Sequence, residues 1–225
     1  TQIAAHLLEA SLSDIEFTGN SFKIVGTDRI VSWNKVVDAA FAVDQLPSGM
    51  EPGLSVNAHF ESTAPNFPSG CHACEVEVDM DTGGVEIVRY VAVSDVGNVI
   101  NPLLLRGQIY GGIGQGAGQV LMEGIQYDKE TGQMQTGSFL DYAMPRASDF
   151  CSFEVTDNPT VTSVNPMGSK GAGEVGTACA MPTVVNAVVN ALDLLGINHL
   201  DMPLTAESIW IAIQATKQSN RLPLN

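Results

Sequence analysis

The glycine-rich segment at residues 168–176 contains one cation, Lys170, and one carboxylate, Glu174. Small or apolar residues follow the carboxylate, among them Val175 and residues 178–181. A carboxyl group held among apolar neighbours has a raised pKa, which suits a general base near neutral pH. A glutamate directly before a helix is also favoured by the helix dipole. The residues alone leave both interpretations of Glu174 open with equal weight.

Nucleotide binding is a weaker interpretation of the same segment. Gly171, Gly173 and Gly176 have the spacing of a dinucleotide fingerprint, but that fingerprint must directly follow a buried strand. An Asn-Pro pair at 165–166 and the charged Lys170 occupy the place of such a strand, and the chain contains no P-loop sequence. A nucleotide-binding dehydrogenase domain is therefore disfavoured.

The four cysteines of the chain contain one close pair, Cys71 and Cys74. The spacing of this pair occurs in zinc and redox sites, but no second pair accompanies it. In an alternating strand the two side chains point to opposite faces, so we expect them to be packing residues, with His72 between them an ordinary strand residue. Reduced thiols are expected, which is compatible with the cytoplasm.

The overall charge excludes several classes of partner. The chain has 25 acidic and 10 basic residues in 225, a formal net charge of −15, and no cluster of lysines or arginines. Nucleic acids and anionic membranes need clustered cations, so neither is an expected partner. No apolar run approaches the roughly 20 residues of a membrane helix, and residues 1–20 lack the pattern of a signal peptide.

The first part of the chain has a mixed α and β pattern. A helix is predicted at residues 1–10, and a hairpin pairs residues 15–17 with 22–25 around Gly19-Asn20. A second helix is predicted from Ser32 to Val43. Several prolines and glycines between 45 and 53 then mark the best internal boundary.

The second part is predicted to contain strands followed by helices. Strands are expected at five places, residues 54–61, 73–79, 85–95, 139–142 and 152–156, with an antiparallel ribbon across the turn at 81–84. One helix is predicted from Pro182, with proline in its first turn, to Leu195, and a second at 206–215 with Thr205 as its cap.

Residues 102–124 contain many glycines for a helix. Gly107, Gly111, Gly114 and Gly118 recur at intervals of four, three and four. On a helix they share one face, so we expect that face to allow another backbone or a ligand to approach very closely.

Four segments together resemble the molybdenum hydroxylase family, which includes xanthine dehydrogenase and aldehyde oxidase. They are residues 95–102, 107–116, 141–146 and 168–174. Their sequences are most similar to the large subunit of carbon monoxide dehydrogenase-type enzymes. The resemblance covers the C-terminal part of a subunit that is several times longer.

The resemblance implies the following roles in a site for a molybdenum–pterin cofactor. Glu174 stands where the family has its catalytic glutamate, a general base beside the molybdenum. Gln108 resembles a glutamine that contacts the cofactor. The residues that would line the cofactor beside the base are Ser169, Lys170, Gly171, Ala172 and Gly173. No residue of this chain is expected to bind the metal ion directly.

The resemblance also implies cofactors and partners beyond this chain. The cofactor is expected to be molybdopterin cytosine dinucleotide. The N-terminal part of the large subunit would contribute further residues to its binding site. Iron–sulfur clusters and FAD on partner subunits or domains would carry the electrons away. The isolated chain is expected to lack the bound cofactor and to be inactive.

We therefore expect an α+β protein in two lobes, with mixed sheets, a buried glycine-rich helix and C-terminal helices. Residues 1–53 would form a small lobe and residues 54–225 a β-rich cofactor-binding lobe. The expected function is hydroxylation of an aldehyde, an N-heterocycle or carbon monoxide with water as the oxygen source. The alternative is a non-catalytic domain of this fold that serves subunit assembly or cofactor delivery.

Overall fold

The computed structural model describes residues 1–62 and 64–219. The chain divides into two compact units, Thr1–Glu61 and Ser62–Asn225. Each unit has its own three-stranded sheet and its own hydrophobic core. The mixed α+β class predicted from the sequence is confirmed.

The first unit is a small three-stranded sheet with two helices. Its elements are α1 (Gln2–Leu8), β1 (Ile15–Thr18), β2 (Ser21–Ile24), β3 (Ile30–Ser32) and α2 (Trp33–Ala40). All strand pairs are antiparallel, in the order β1-β2-β3. Gly19 and Asn20 have φ angles of +59° and +67°, as a two-residue hairpin turn requires, so the predicted hairpin is confirmed.

Helix α2 begins where the sequence predicts. The Ser32 hydroxyl accepts a hydrogen bond from the Lys35 N–H at 3.3 Å, which caps the helix. The helix ends at Ala40 rather than Val43, and a short 3₁₀ turn follows at Val43–Gln45.

The sheet of the second unit contains β4 (Ser69–Val78), β5 (Val85–Asp95) and β6 (Phe153–Asp157). Strand β5 is central, antiparallel to β4 and parallel to β6. The predicted antiparallel ribbon is confirmed. Cys71 is exposed and Cys74 half-buried against the core, so the two side chains do point to opposite faces.

Two predicted strands are absent from the described structure. Residues 54–61 form no strand, since alternation alone is insufficient without a neighbouring strand to pair with. Residues 139–142 form a turn instead, in which the N–H groups of Asp141 and Tyr142 both donate to the Ser138 carbonyl. Local hydrogen bonds thus replace the expected pairing.

Three helices complete the second unit, namely α3 (Pro102–Leu121), α4 (Val175–Leu192) and α5 (Ala206–Ser219). Thr205 caps α5 as predicted, because its hydroxyl accepts from the Ser208 N–H at 3.2 Å. The predicted start of α4 is wrong: Pro182 lies inside the helix, which begins seven residues earlier. The early turns bury Val175 and Ala180, and this packing outweighs the backbone hydrogen bond that the proline removes.

The glycines of α3 follow the predicted stripe only in part: Gly118 is closely packed, since a Cβ there would lie 2.7 Å from the Pro145 Cδ. Gly112 and Gly116, outside the predicted stripe, are the residues against which α4 packs closely. A Cβ at Gly112 would lie 2.8 Å from the Thr177 nitrogen and 2.9 Å from the Gly176 Cα. Gly107 and Gly111 have nothing within 4 Å of that position in the described structure.

Candidate functional site

The segment before Glu174 is held in place by the chain that follows β5. The Lys170 N–H donates to the Val96 carbonyl at 2.8 Å, and the Asn98 N–H donates to the Gly168 carbonyl at 3.0 Å. Gly97 and Ser169 form an antiparallel bridge between these hydrogen bonds. Two segments more than 70 residues apart in sequence are therefore joined into one small support for the loop.

The close approach of these segments requires glycine at Gly97. Its φ angle is +64°, in the left-handed region that glycine adopts without steric cost. A Cβ at this position would collide with the Gly168 carbonyl oxygen. The Asp-Val-Gly-Asn sequence at 95–98 therefore has a structural reason to contain glycine.

Lys170 is paired with Asp95. The Lys170 Nζ lies 2.7 Å from the Asp95 Oδ2, and the exposed fractions of the two side chains are only 13% and 17%. Asp95 also accepts hydrogen bonds from the N–H groups of Thr160 and Gly97, at 2.9 and 3.0 Å. The Lys170 hydrogen bond, followed by those from Thr160 and Gly97, holds the Asp95 pKa far below its ordinary value. Because the charge of Lys170 is already balanced, the lysine brings no net positive charge to the loop.

Four of the predicted cofactor residues line one depression of about 260 Å³, together with apolar residues of α3. They are Gln108, Ser169, Lys170 and Ala172. Gln108 is exposed. The Ser169 hydroxyl donates to the Asn98 carbonyl at 2.8 Å, so it braces the loop. Ala172 packs against the hydrophobic core.

The other three predicted residues line a second depression, of about 430 Å³. They are Gly171, Gly173 and Glu174. Phe67, Ala178 and Cys179 are among the remaining lining residues, and the Phe67 side chain is 74% exposed. The structure thus distributes the seven predicted site residues over two depressions on the same loop.

Glu174 occupies the N-cap position of α4, without a capping hydrogen bond from its side chain. Its side chain is exposed, although Val175 next to it is buried. The burial that the apolar neighbours in sequence suggested is therefore not supplied by this chain. The carboxylate is available to a partner from outside the described residues.

The loop backbone between Lys170 and Glu174 is open to a ligand. Within the described residues, no hydrogen bond is made by the N–H groups of Gly171, Ala172 or Gly173. Nothing lies within 4 Å of a Cβ placed at Gly171 or Gly173, and α4 begins directly afterwards. Free N–H groups before a helix N-terminus bind phosphate-like anions. The residues present therefore fit a pyrophosphate-bearing cofactor.

Some residues that build the site were not assigned a role from the sequence. Asp95 is paired with a lysine 75 residues away, and Asn165 donates its side-chain amide to the Ser169 carbonyl at 2.8 Å. The signal available was weak: an Asp followed two residues later by glycine is typical of a side-chain-capped turn, which names the local bond but not the distant partner.

The described part of the chain holds no group of three or more His, Cys, Asp or Glu residues that could bind a metal ion. All four cysteines are free. Burial, followed by the neighbouring Cys151, raises the pKa of Cys74 to about 11, so this thiol stays protonated near neutral pH. One stretch in the described residues, Val175–Leu195, has the length and hydropathy of a membrane span, but its buried side belongs to the core, like that of many helices in water-soluble folds.

Comparison with known proteins defines the class. Residues 1–151 match the model of the molybdopterin cofactor-binding domain family, and the chain belongs to that family. It also belongs to the molybdenum hydroxylase large subunits that the four sequence segments resemble, as the following relatives show.

Over 98% of its length the chain is 36% identical to 6-hydroxypseudooxynicotine dehydrogenase complex subunit gamma of Paenarthrobacter nicotinovorans. Over 95% it is 32% identical to the carbon monoxide dehydrogenase large chain of Hydrogenophaga pseudoflava. The chain spans 28% and 26% of these two proteins, about a quarter of their length.

The solved structure of quinoline 2-oxidoreductase from Pseudomonas putida 86 matches 95% of the chain with a TM-score of 0.88 and 34% identity. Carbon monoxide dehydrogenase from Oligotropha carboxidovorans matches 96% with the same TM-score and 29% identity. In each case the chain covers 27% of the solved chain. This region therefore has the molybdopterin-binding fold of those enzymes.

Proposed function

We propose that the chain is the C-terminal cofactor-binding portion of the large subunit of an oxidoreductase that hydroxylates its substrate with oxygen from water. One observation carries the proposal: Glu174 is exposed at the edge of an open depression, and its carboxylate makes no capping hydrogen bond. It directly follows three loop N–H groups that have no hydrogen bond in the described residues. A base must reach a proton on a molecule that enters from outside, and this placement allows it.

The residues of the loop would hold the cofactor in two ways. Gly171, Ala172 and Gly173 would donate backbone N–H groups to its phosphates, while Gln108 would offer a side-chain amide from α3. Ser169 and Lys170 would keep the loop in shape through Asn98 and Asp95. We propose molybdopterin cytosine dinucleotide as the form bound. The cofactor, when bound, supplies the redox centre that accepts two electrons from the substrate.

Glu174 would act as the general base, taking the proton from the water-derived oxygen that is transferred to the substrate. A base of this kind works best when its pKa lies near the operating pH, which desolvation achieves. Since the Glu174 side chain is exposed in this chain, the desolvation would come from the rest of the large subunit and from the substrate itself.

Among the expected substrate classes, we propose an aromatic N-heterocycle. The support comes from two sides. Relatives named for nicotine and quinoline are 36% and 34% identical to the chain. The depression beside Glu174 has a volume of about 430 Å³ and includes the exposed ring of Phe67, which suits a flat ring better than a diatomic gas.

We further propose that the enzyme works in the cytoplasm as a complex with iron–sulfur and flavin subunits or domains. The relatives are named as a large chain and as a subunit of a complex, which supports a partner. The free cysteines support a reducing compartment.

The substitution Glu174→Gln in the complete enzyme tests the proposed base. Turnover should fall by orders of magnitude, while the molybdenum content of the purified enzyme stays at the wild-type level. The matched control is Glu207→Gln, since Glu207 is an exposed glutamate in the first turn of another helix, α5. It reproduces the change of charge near a helix dipole without touching the depression, and its turnover should be unchanged.

If Glu174→Gln leaves turnover unchanged, Glu174 is not the base and a non-catalytic role in assembly or cofactor delivery becomes the better explanation. If both variants lose activity equally, the helix dipole explains the effect instead. We expect the isolated chain, which spans about a quarter of its relatives, to show no turnover with substrate and an artificial electron acceptor.

A further inference from the structure

Two buried polar atoms of the second unit make no hydrogen bond within the described residues: the His72 Nε2 and the Ser94 Oγ. The Ser94 residue is only 1% exposed. A buried polar atom without a partner is destabilising, and native proteins contain few of them. Two such atoms in one region therefore point to a shared partner.

The two residues are neighbours on one face of the sheet. In the β4–β5 register, His72 is opposite Ala92 and Gly70 is opposite Ser94, so His72 and Ser94 are diagonal partners. Diagonal neighbours on one face are about 7–8 Å apart, a separation that a long ring side chain such as His72 can largely span. Ala92, directly opposite His72, adds only a methyl group to the space beside them.

The hydrogen-bonding capacity of His72 is used on one side only. Its Nδ1 lies 2.8 Å from the Tyr90 hydroxyl, and Tyr90 is the diagonal neighbour on the other side. Burial lowers the His72 pKa, which favours the neutral imidazole. A neutral ring with Nδ1 accepting from Tyr90 carries its proton on Nε2 and needs an acceptor there.

The missing partner has to be small and internal. Both atoms are inaccessible within this chain alone, so polypeptide that covers the outer surface cannot reach them. Buried waters typically make about three hydrogen bonds to polar groups of this kind. We propose that one buried water molecule bridges the His72 Nε2 and the Ser94 Oγ.

The strand pair that carries this water site also contacts the start of α4. Gly70, the partner of Ser94, faces the first turn of that helix, because a Cβ placed on Gly70 would lie 3.9 Å from both the Val175 Cγ2 and the Ser94 Cα. Val175 directly follows Glu174. With the water, Tyr90, His72 and Ser94 form a chain of hydrogen bonds on the face of the sheet that α4 covers.

A crystal structure of the complete wild-type enzyme, at a resolution that shows ordered waters, tests the site directly. We expect one density peak at about 2.8 Å from both the His72 Nε2 and the Ser94 Oγ. The absence of such a peak, or a protein partner for either atom, would overturn the proposal. This outcome is independent of turnover and of the role of Glu174.

Variants of the complete enzyme give a second test through the sign of their effect. If the water bridges the two residues, Ser94→Ala should lower Tm, because His72 and the water lose a partner. If Ser94 Oγ is simply unpaired, its removal should leave Tm unchanged or raise it, which contradicts the proposal. Ser152→Ala is the control, since Ser152 is exposed just before β6.

The double variant His72→Phe with Ser94→Ala completes the cycle. A shared water makes the two residues interdependent. The Tm of the double variant should therefore fall by less than the sum of the decreases in the two single variants. Additive losses would mean that the two atoms have no common partner.

Discussion

Helix α3 has two glycine faces, and they serve different purposes. On one face Gly112 and Gly116 lie against α4, with no room for even a methyl group. On the other face Gly107 and Gly111 have the same spacing of four residues, but nothing in the described structure lies within 4 Å of a Cβ there. Residue type and spacing are identical, and only the neighbours differ.

The packed face accounts for its glycines within this chain, and the open face does not. A glycine inside a helix costs about 1 kcal/mol relative to alanine. At Gly112 and Gly116 close packing of two helices offsets that cost. At Gly107 and Gly111, which adjoin Gln108, no contact within the described residues offsets that cost. An open face of this kind is what the proposed cofactor would require.

The largest effect is expected from Gly112→Ala. The new methyl group would meet backbone atoms of Thr177 and Gly176, which cannot move aside as a side chain could. The free energy of unfolding should fall by about 2 kcal/mol, even after the gain in helix propensity. Denaturant unfolding measures it. An unchanged midpoint would show that the two helices are not packed as described.

A smaller and reversible effect is expected from Gly116→Ala. Its methyl group would lie 2.7 Å from the Ala180 Cβ, and the backbone contacts are longer, at 3.1 and 3.3 Å. We expect a loss of about 1 kcal/mol, part of which Ala180→Gly should restore. A double variant no more stable than Gly116→Ala would contradict the contact between these two positions.

The open face should respond in the opposite direction. Gly107→Ala and Gly111→Ala should each raise the stability of the isolated chain by up to about 1 kcal/mol, because helix propensity improves and no atom is displaced. In the complete enzyme the same substitutions should lower the molybdenum content, since a methyl group would obstruct the approach of the cofactor. Stable variants with full molybdenum content would remove the functional reason for the open face.

The smallest effect concerns the ion pair at the edge of the depression that Gln108 lines. Because the Asp95 pKa is depressed in the folded state, its contribution to stability is full above the unfolded value of about 3.9. That contribution is lost as the pH falls further toward the folded-state pKa. Between pH 6 and pH 2 the Tm should therefore fall less steeply in Asp95→Asn than in the wild type. Parallel curves would show that Asp95 does not titrate with folding.

Elements that depend only on residues nearby in sequence were predictable. The Gly19-Asn20 turn, the cap at Thr205 and the alternation of β4 and β5 were recognised because their hydrogen bonds or faces are decided within a few residues. Residues 54–61 and the start of α4 were predicted wrongly, because each depends on whether a distant segment packs against it. Pro182 shows this most clearly, since helix packing outweighs its local preference.

The same distinction between local and distant contacts applies to the site residues. Resemblance proposes Gln108 and the loop up to Glu174 as site residues, and the glycines of that loop were visible as residues that leave the backbone open. The Asp95–Lys170 pair was not predictable, because 75 residues separate its members and either could have paired elsewhere. The exposure of Glu174 was left open by the sequence, since apolar neighbours in sequence need not be neighbours in space.

The sequence by itself determined the α+β class, the Gly19-Asn20 turn, the cap at Thr205 and the positions where a Cβ is missing. Only the tertiary structure decided which glycines of α3 meet α4, which cation neutralises Asp95 and whether Glu174 faces solvent. The reason is physical: turns and caps close hydrogen bonds within a few residues, whereas packing and burial are set by segments that meet only after the chain has folded.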